Sequence, residues 1–432
     1  MFKTIGMIIG FILISLNIYS QTYDFDKFIE LVKSNNRDIM IAAKELDMAK
    51  AQEREAKSNV YPQISLEGNY KRNLNKGYMY VDLGEGTQKL SITYDNEFDM
   101  QAVLSQQLFN ASIFKAIKAA NQYEKLSGFV YDATFQGIIA GSKKAFYQTL
   151  LLKEVWNVEN EALKNAKENY DETANKYDNG LVSQFEMLQA EVRWKNQIPT
   201  ATQAERNYRL SLNTLKVLAG IPVENDFIIE GDIETAERDV KEIDMPEILN
   251  NRPDYKALLW EEKLRNTNIS AEYSGHLPSL FASFTYDFNS VSNEFSFDNK
   301  NNYLIAGLTL KVPIFDGWNT SAKVQQAEIE LTKTKIEIEK TREDIKKDIQ
   351  NTSLRIAEAQ NRIESAEQTL KTAKKGFEIA EATADNGLAT QLELKDARIN
   401  YDQAQLNYYS AVYDYLEAYF DWELAAGLTE TK

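Results

Sequence analysis

The residues able to carry out chemistry are few in this chain. His276 is the single histidine, and the sequence contains no cysteine. The usual pairs of nucleophile and base, and the histidine and cysteine clusters that hold zinc, therefore cannot be assembled. Carboxylates remain, and Glu393 and Asp396 lie three residues apart, on one face of a predicted helix. No paired catalytic site is recognisable, so the sequence predicts a protein that is not an enzyme and uses no cofactor or metal.

Composition indicates long structural elements and an acidic surface. The 432 residues include 18 glycines and 7 prolines, so few positions favour a turn. Lysine and arginine total 49 against 65 aspartates and glutamates, which gives a formal net charge of −16. Because a negative chain is repelled by a nucleic-acid backbone, no nucleic-acid partner is expected.

The first twenty residues, MFKTIGMIIGFILISLNIYS, differ from the rest. A single lysine precedes an apolar core from Ile5 to Ile14, and Ser20 is followed by polar sequence. This pattern predicts a secretory signal peptide over residues 1–20; the alternative is an uncleaved anchor helix. Without cysteine, the exported chain is expected to need no disulfide bond and to carry no lipid on an N-terminal cysteine.

A stretch of the first half of the chain recurs in the second half. Asp178–Ala190 reads DNGLVSQFEMLQA, and Asp385–Ala397 reads DNGLATQLELKDA. Further pairs follow the same order: NNRD with NNRPD, SNVYPQISLEGNY with SGHLPSLFASFTY, LFNAS with IFDGW, and LAGIP with AAGL. The first copy carries extra residues between the second and third of these pairs. Two fused copies of one module explain the pattern.

A heptad pattern predicts a long helix in the second copy. The stretch from Trp318 to Ala384 contains no proline and one glycine, Gly376. Within it, apolar or small residues recur at alternating steps of three and four. One position of this seam is alanine four times: Ala359, Ala366, Ala373 and Ala380. Alanine permits close approach of a neighbouring helix, in an ordinary coiled-coil dimer or in a larger helical assembly.

Four segments show the period of two that is typical of β-strands. Apolar residues alternate with mostly polar ones, and tyrosine and phenylalanine gather near the segment ends. The segments are 63–71, 98–109, 280–288 and 304–312. A soluble β-sandwich has the same alternation. If these strands cross a membrane, four per chain cannot close a barrel, so several chains must pool them, and three chains would contribute twelve.

At this point the chain resembles the TolC-like outer membrane efflux proteins. The resemblance rests on the signal peptide, the fused repeat, one strand hairpin between helices in each copy, the LKVPIFDGW junction and the paired glycine corners. It implies a mainly helical homotrimer. A shared twelve-strand β-barrel would lie in outer-membrane lipid, and a trimeric α-barrel of long helices would extend into the periplasm. The expected partners are a periplasmic adaptor protein and an inner-membrane pump.

The resemblance also implies a domain plan. The first repeat is expected over 21–222, a linker over 223–245, the second repeat over 246–428 and a tail over 429–432. Helices near 24–57 and 246–273 would lead to the membrane, and loops 73–97 and 289–302 would lie outside. Helices 112–178 and 318–384 would descend, and helices 184–218 and 390–426 would return.

The two glycine corners would form the periplasmic tip, where a gate and an adaptor-docking surface must lie. The expected tip residues are Asn179, Gly180, Leu181, Asn386, Gly387 and Leu388. Glycine takes the left-handed conformation that ends a helix at low cost. Ser183 and Thr390 can then cap the returning helices, with Glu186 and Glu393 completing capping boxes.

The resemblance makes Glu393 and Asp396 candidates for the pore constriction. They stand six and nine positions beyond Gly387, where such ducts carry acidic residues, and in a trimer each would form a ring of three. The first copy keeps Glu186 but has Gln189. Ala384 and Ala389 replace the family's latching tyrosine and arginine, so other polar contacts would have to hold the tip closed.

Two alternative interpretations remain at this stage. A periplasmic adaptor would carry one helical hairpin flanked by small β-domains, whereas this chain has two hairpins and little other strand sequence. A passive coiled-coil spacer of the envelope would not need two matched strand hairpins.

Overall fold

The structure is a computed structural model that describes residues 22–82, 84, 86–233, 240, 243–297, 299–386, 388 and 390–430. The predicted signal peptide, Gly387, Ala389 and the last two residues of the tail lie outside these residues. The chain divides into two compact units, which are described separately. They comprise Met1–Met40, Phe135–Asp244 and Lys347–Lys432 in the first, and Ile41–Thr134 and Met245–Lys346 in the second.

The first copy of the repeat contains two long helices after a group of strands. In chain order its elements are β1 (Thr22–Tyr23), α1 (Phe25–Asn35), α2 (Arg37–Ser58), β2 (Gln63–Arg72), β3 (Tyr78–Asp82), β4 (Thr87–Ser91), β5 (Asn96–Phe109), α3 (Ala111–Asp178) and α4 (Gln184–Leu218). Strand β6 (Ile228–Ile229) follows and pairs in parallel with β1.

The second copy repeats this order without the short third and fourth strands. Its elements are α5 (Met245–Asn251), α6 (Pro253–Tyr273), a 3₁₀ turn (Ser274–His276), β7 (Ser279–Ser292), β8 (Asn299–Lys311), α7 (Asn319–Asp385) and α8 (Gln391–Ala425). The four predicted strands and the four long predicted helices are confirmed to within a few residues. Among the described helices, none is both long and apolar enough to cross a membrane.

The two helices predicted near 24–57 and 246–273 were wrong in one respect, because each is broken near its start. At Asn36 the side-chain oxygen accepts hydrogen bonds from the amides of Asp38 (3.0 Å) and Ile39 (3.1 Å) and caps α2. The Asn36 side-chain amide donates to the carbonyl of Leu218 at 2.9 Å. In the second copy, Arg252 precedes Pro253, and proline disfavours a helical conformation in the residue before it.

The predicted outer loops were also too long. Residues 73–97 contain the β3–β4 hairpin, with Tyr78 opposite Ser91 and Asp82 opposite Thr87. In the second copy, β7 continues to Ser292 and β8 begins at Asn299, so the connection is much shorter than the predicted 289–302. The extra residues of the first copy therefore form an additional hairpin.

The second unit contains an antiparallel sheet in the strand order β2–β5–β7–β8. Leu66 lies opposite Ala102, Ala102 opposite Tyr286, and Tyr286 opposite Leu304. Because side chains alternate along each strand, these four residues share one face. We call it the apolar face, and Leu66 and Leu304 on it are 70% and 71% exposed.

The opposite face of the sheet is polar. Glu67 lies opposite Gln101, and Gln101 lies opposite Asp287. The Gln101 side-chain amide donates to Asp287 at 2.8 Å. In the described residues, β2 and β8 are the edges of the sheet, so each carries a row of backbone groups without a neighbouring strand.

In the first unit, stacked aromatic rings join the long helices in the order α4, α3, α8 and α7. The centroid distances are 5.5 Å for Trp156 and Tyr208, 5.7 Å for Tyr147 and Phe420, and 5.8 Å for Phe377 and Tyr401. Phe28, Phe146 and Phe420 are fully buried in the core where α1, α3 and α8 meet. This packing holds the two helical corners on one unit.

Candidate functional site

The first helical corner is built by a glycine in the left-handed conformation. Helix α3 ends at Asp178, and Gly180 has a φ of 74°. The Leu181 amide donates to the carbonyl of Lys176, and the Gly180 amide donates to that of Tyr177, both at 2.8 Å. These two bonds are those of a Schellman motif, which satisfies carbonyls at the end of a helix.

The second corner repeats this geometry in the residues that are described. The Leu388 amide donates to the carbonyl of Thr383 at 2.9 Å, the same relation that Leu181 has to Lys176. Asn386 and Asn179 also behave alike, because each side-chain amide donates to the carbonyl four residues earlier, at 2.6 Å and 2.7 Å. Gly387 itself lies outside the described residues.

The two returning helices are capped to different degrees. At Thr390 the capping box is complete: the Glu393 amide donates to the Thr390 hydroxyl at 3.2 Å, and the Thr390 amide donates to the Glu393 carboxylate at 2.8 Å. Hydrogen bonds from Thr390 hold the pKa of Glu393 below its usual value. At the first corner, Ser183 accepts from the Glu186 amide at 3.3 Å.

The two acids predicted for the constriction lie on the first turns of α8. Glu393 and Asp396 are both exposed. Glu393 is engaged in the cap, so its carboxylate is held near the start of the helix. At the equivalent positions of the first copy, Glu186 and Gln189 are also exposed. The side-chain pattern therefore puts two acids at the second corner and one at the first.

Each corner presents an apolar residue to solvent. Leu181 is 73% exposed and Leu388 is 82% exposed. One helical turn further along, Phe185 and Leu392 are 68% and 59% exposed. Exposed apolar residues gathered in one place mark an interaction surface.

The alanine positions of the heptad seam lie on the covered face of α7. Ala359 is buried, and Ala366, Ala373 and Ala380 are half-buried, whereas the residues on either side of each are exposed. Phe377, on the same face, stacks on Tyr401 of α8. Helix α8 of the same chain therefore covers at least part of this seam.

One arginine near the second corner escaped the sequence reasoning. The Nε atom of Arg398 donates to Asp402 at 2.9 Å, and its Nη2 atom lies 4.0 Å from Glu161 on α3. Its guanidinium group lies 5.1 Å from the ring centre of Phe377 on α7. The Arg398–Asp402 spacing was visible in the sequence. The contacts with α3 and α7 depend on helix packing and were not.

Ion pairs between α7 and α8 form a second feature, for which the sequence contains a signal. Arg355 donates to Glu417 at 3.0 Å and to Asp421 at 2.9 Å, and Arg362 pairs with Asp414. The two arginines lie seven residues apart on α7, and the two aspartates lie seven apart on α8. Matching heptad spacing of opposite charges predicts that the two helices pair, and the observed partners run in reversed order, as in an antiparallel pair.

Comparison with known proteins identifies relatives by sequence. The sequence model of the family described as "Outer membrane efflux protein" matches residues 28–221 and 245–427. Outer membrane protein TolC of Vibrio cholerae is 24% identical over 307 residues, and the probable efflux pump outer membrane protein TtgC of Pseudomonas putida is 22% identical over 304. Both matches cover 68% of this chain but 66% and 60% of those proteins, less than two thirds of their length.

Solved structures share the fold. The Campylobacter jejuni CmeC outer membrane channel superposes with a TM-score of 0.76 at 20% identity, covering 94% of this chain and 86% of that one. The Neisseria gonorrhoeae MtrE outer membrane channel, in its open state, gives 0.72 at 19% identity, covering 93% and 88%. The resemblance predicted from the sequence is confirmed, as is the repeated, mainly helical fold. Because the family model matches most of the chain in two blocks, the chain belongs to the outer membrane efflux protein family.

Proposed function

We propose that this protein is the outer-membrane exit duct of a tripartite efflux or type I secretion system. It would pass substrates from an inner-membrane pump across the periplasm and the outer membrane, and would catalyse no reaction. The observation that carries the proposal is the four-stranded sheet. Its apolar face is exposed and both its edges are open, in a chain of the outer membrane efflux protein family.

The open edges support assembly as a homotrimer. An unpaired strand edge is too costly in lipid, so the β8 edge of one copy must pair with the β2 edge of another. Three copies would close a barrel of twelve strands, and the exposed leucines of the apolar face would then contact lipid. The helices α3, α4, α7 and α8 of three copies would form the α-barrel in the periplasm.

The corners supply the proposed partner surface and gate. Leu181 and Leu388, with Asn179, Gly180, Asn386 and Gly387, would dock a periplasmic adaptor protein, which in turn meets the pump. Glu393 and Asp396 would form acidic rings at the constriction. The four seam alanines would set the close spacing of helices that the α-barrel needs.

The domain plan predicted from the sequence is retained in this proposal. Residues 1–20 would direct export and be removed, and 21–222 and 246–428 would be the two repeats. Residues 223–245 would join the repeats around the α-barrel, and 429–432 would be a short tail. The family match, in blocks 28–221 and 245–427, supports the division.

Cell fractionation combined with gel mobility tests the proposal. The full-length chain, expressed in a Gram-negative host, should be recovered in the outer-membrane fraction. It should run as a trimer in SDS without heating and as a monomer after boiling, and the purified trimer should conduct ions across a planar bilayer. A chain found in the soluble periplasm as a monomer or dimer would contradict the duct and favour an adaptor or a spacer.

A further inference from the structure

Aromatic rings gather at one end of the apolar face. Tyr70 and Phe98 lie opposite each other with ring centroids 4.9 Å apart, and Phe98 lies 5.2 Å from Phe295 and 4.7 Å from Phe297. Phe288 lies 6.2 Å from Phe297. Phe295 and Phe297 belong to the β7–β8 connection, which therefore reaches the outer end of the strands. We call these five residues the aromatic collar, and such belts form where a membrane protein meets the polar headgroups.

Two cations lie on the same face at the outer end of the edge strands. Arg72 is two residues beyond Tyr70 on β2, and Lys300 is two residues before Asn302, the residue opposite Phe288 on β8. The strict alternation of both strands puts these side chains on the apolar face. Both are exposed, and neither forms an ion pair within the described residues.

Most acidic residues at the outer end of the sheet lie on its polar face or close to other cations. Glu97 and Asp99 lie on the polar face, where Glu97 accepts from Asn73 at 2.8 Å and Asp99 accepts from Asn289 at 2.5 Å. Asp95 lies 3.4 Å from Lys76. Glu294, in the β7–β8 connection, is exposed. The cations on the apolar face are thus separated from most carboxylates of the sheet.

The position of the two cations matters for assembly. Arg72 is on β2 and Lys300 is on β8, the two open edges of the sheet. When the β8 edge of one copy pairs with the β2 edge of the next, as the proposed function requires, the two cations approach each other across the new interface between copies. Below them, Ile64 and Leu66 on β2 and Leu304 on β8 are at least 70% exposed.

We propose that Arg72 and Lys300 form a binding site for the phosphorylated headgroup of an outer-membrane glycolipid at each interface between copies. The arginine fork suits a phosphate oxygen pair, and lysine supplies a point charge. The exposed leucines and isoleucine below provide the surface for acyl chains, which a free phosphate does not need. The aromatic collar marks the level at which the headgroup begins. This inference rests on the proposed trimeric duct.

Native mass spectrometry of the detergent-purified trimer of the full chain tests the site. The probes are diphosphoryl lipid A, the same lipid without phosphates, and inorganic phosphate. The test variant is Arg72→Gln with Lys300→Gln. The matched control is Lys71→Gln with Lys311→Gln, which removes equal charge from the same two strands on the polar face. A cation at the membrane surface contributes roughly fivefold to binding, so removing two should weaken the binding of diphosphoryl lipid A roughly 25-fold.

Each outcome decides the proposal. Loss of lipid binding in the test variant, with wild-type binding in the control, supports it. Equal binding by all three proteins overturns it, and so does displacement of the lipid by inorganic phosphate, which would indicate a free-anion site. If the test variant yields no trimer, the wild-type trimer alone is used to compare lipid A with and without phosphates. Equal affinity for the two lipids would overturn the proposal. A wild-type chain that forms no trimer would contradict the proposed function instead.

Discussion

The two helical corners share a backbone and differ in their side chains. Both close with the same hydrogen bond from a leucine amide to the carbonyl five residues earlier, and both use an asparagine side chain to satisfy a helix carbonyl. Yet Glu393 completes a capping box at the second corner, and Asp396 stands where the first copy has Gln189. The duplicated backbone thus keeps the turn, while charge is concentrated in one copy.

The difference extends along the returning helices. In the first copy, Leu188 is 45% exposed on α4. The equivalent position on α8 is Lys395, and one turn later Arg398 reaches Glu161 on α3. The first corner is therefore the more apolar one and the second the more charged one. In the proposed function, docking would depend on what the corners share, and ion selection would depend on where they differ.

The largest effect is expected from changing the exposed leucine that both corners share. Leu181→Asp combined with Leu388→Asp should abolish efflux in cells while trimer yield and bilayer conductance stay at wild-type values. The reason is that burying a carboxylate against a partner without a counter-charge is costly. Drug susceptibility in a strain lacking its own duct, with the cognate pump and adaptor present, is the measurement.

The single variants and one control sharpen this test. Similar partial losses from Leu181→Asp and Leu388→Asp would show that the corners contribute alike to docking. Leu354→Asp changes an equally exposed leucine, 71% exposed, away from the corners and should leave efflux intact. Wild-type efflux by the double variant would mean that the adaptor binds elsewhere.

The prediction for the gate tests the acidic residues Glu393 and Asp396, by which the second corner differs from the first. Carboxylates ~6 Å apart repel by roughly 3 kcal/mol at an effective dielectric near 20, so closed acidic rings should attract cations. The wild-type duct should prefer cations and be blocked by a trivalent cation added from the periplasmic side. Glu393→Ala with Asp396→Ala should resist this block and conduct more, as measured in planar bilayers.

Two further variants complete this test. One separates the effect of the acidic charges from that of helix capping, and the other compares the first corner with the second. Glu393→Gln with Asp396→Asn removes both charges and keeps a residue suited to the capping box, so it should also resist block. Glu186→Ala with Gln189→Ala, in the first copy, should remain sensitive. Equal block of all four proteins would place the constriction elsewhere.

The alanine seam is expected to give an intermediate effect on stability. Ala366→Leu with Ala373→Leu would overpack the covered face of α7, at about 1–3 kcal/mol for each residue. The melting temperature of the trimer should fall. Gln368→Leu with Lys375→Leu, at exposed positions with the same spacing, should change it little. An unchanged melting point in the alanine variant would show that this face is loosely packed in the assembly.

The caps should give the smallest effect. Thr390→Ala removes the hydroxyl half of the second capping box and leaves the bond from the backbone amide of residue 390 to Glu393. Loss of an N-cap side chain typically costs about 1 kcal/mol. Amide hydrogen exchange over the first turn of α8 should therefore quicken roughly fivefold. Ser183→Ala should act less on α4, where Ser183 makes one longer bond. Equal acceleration at both corners would remove this difference between the copies.

The same cap gives a pH prediction with a definite sign. Because the pKa of Glu393 is lowered in the folded chain, its contribution is complete above the ordinary glutamate value and is lost as the pH falls through the lowered one. Exchange over residues 391–394 should quicken in that acidic range in wild type. In Glu393→Gln it should not depend on pH beyond the intrinsic rate, and a matching acid response there would exclude the carboxylate as the cause.

The sequence was most informative where local physical rules decide the structure. Alternation located all four long strands, because one face of each had to be apolar. The left-handed Gly180 and its surroundings located the end of α3, since few residues adopt that conformation. The heptad seam follows a face of α7 on which the alanines are buried or half-buried in the single chain.

What the sequence did not reveal depends on contacts between distant residues. The break at Asn36 is accompanied by a hydrogen bond to Leu218, which lies 182 residues away. The seam showed that α7 is covered but not that α8 of the same chain covers it near Phe377. Likewise, the role of Arg398 arises from three helices meeting, which no local pattern encodes. The short β3–β4 hairpin was missed because five-residue strands give little periodicity.

The two open edges of the sheet also determine how assemblies of mixed subunits should behave. Each copy has one edge on β2 and one on β8, so a subunit with a damaged β8 edge would still pair normally through β2. It would enter a ring and prevent its closure. For the proposed trimer, in cells making equal amounts of normal and damaged chains, roughly one ring in eight would contain three normal copies, because closed symmetry requires every interface. Damage to a single strand edge should therefore be genetically dominant, whereas loss of the whole chain should be recessive.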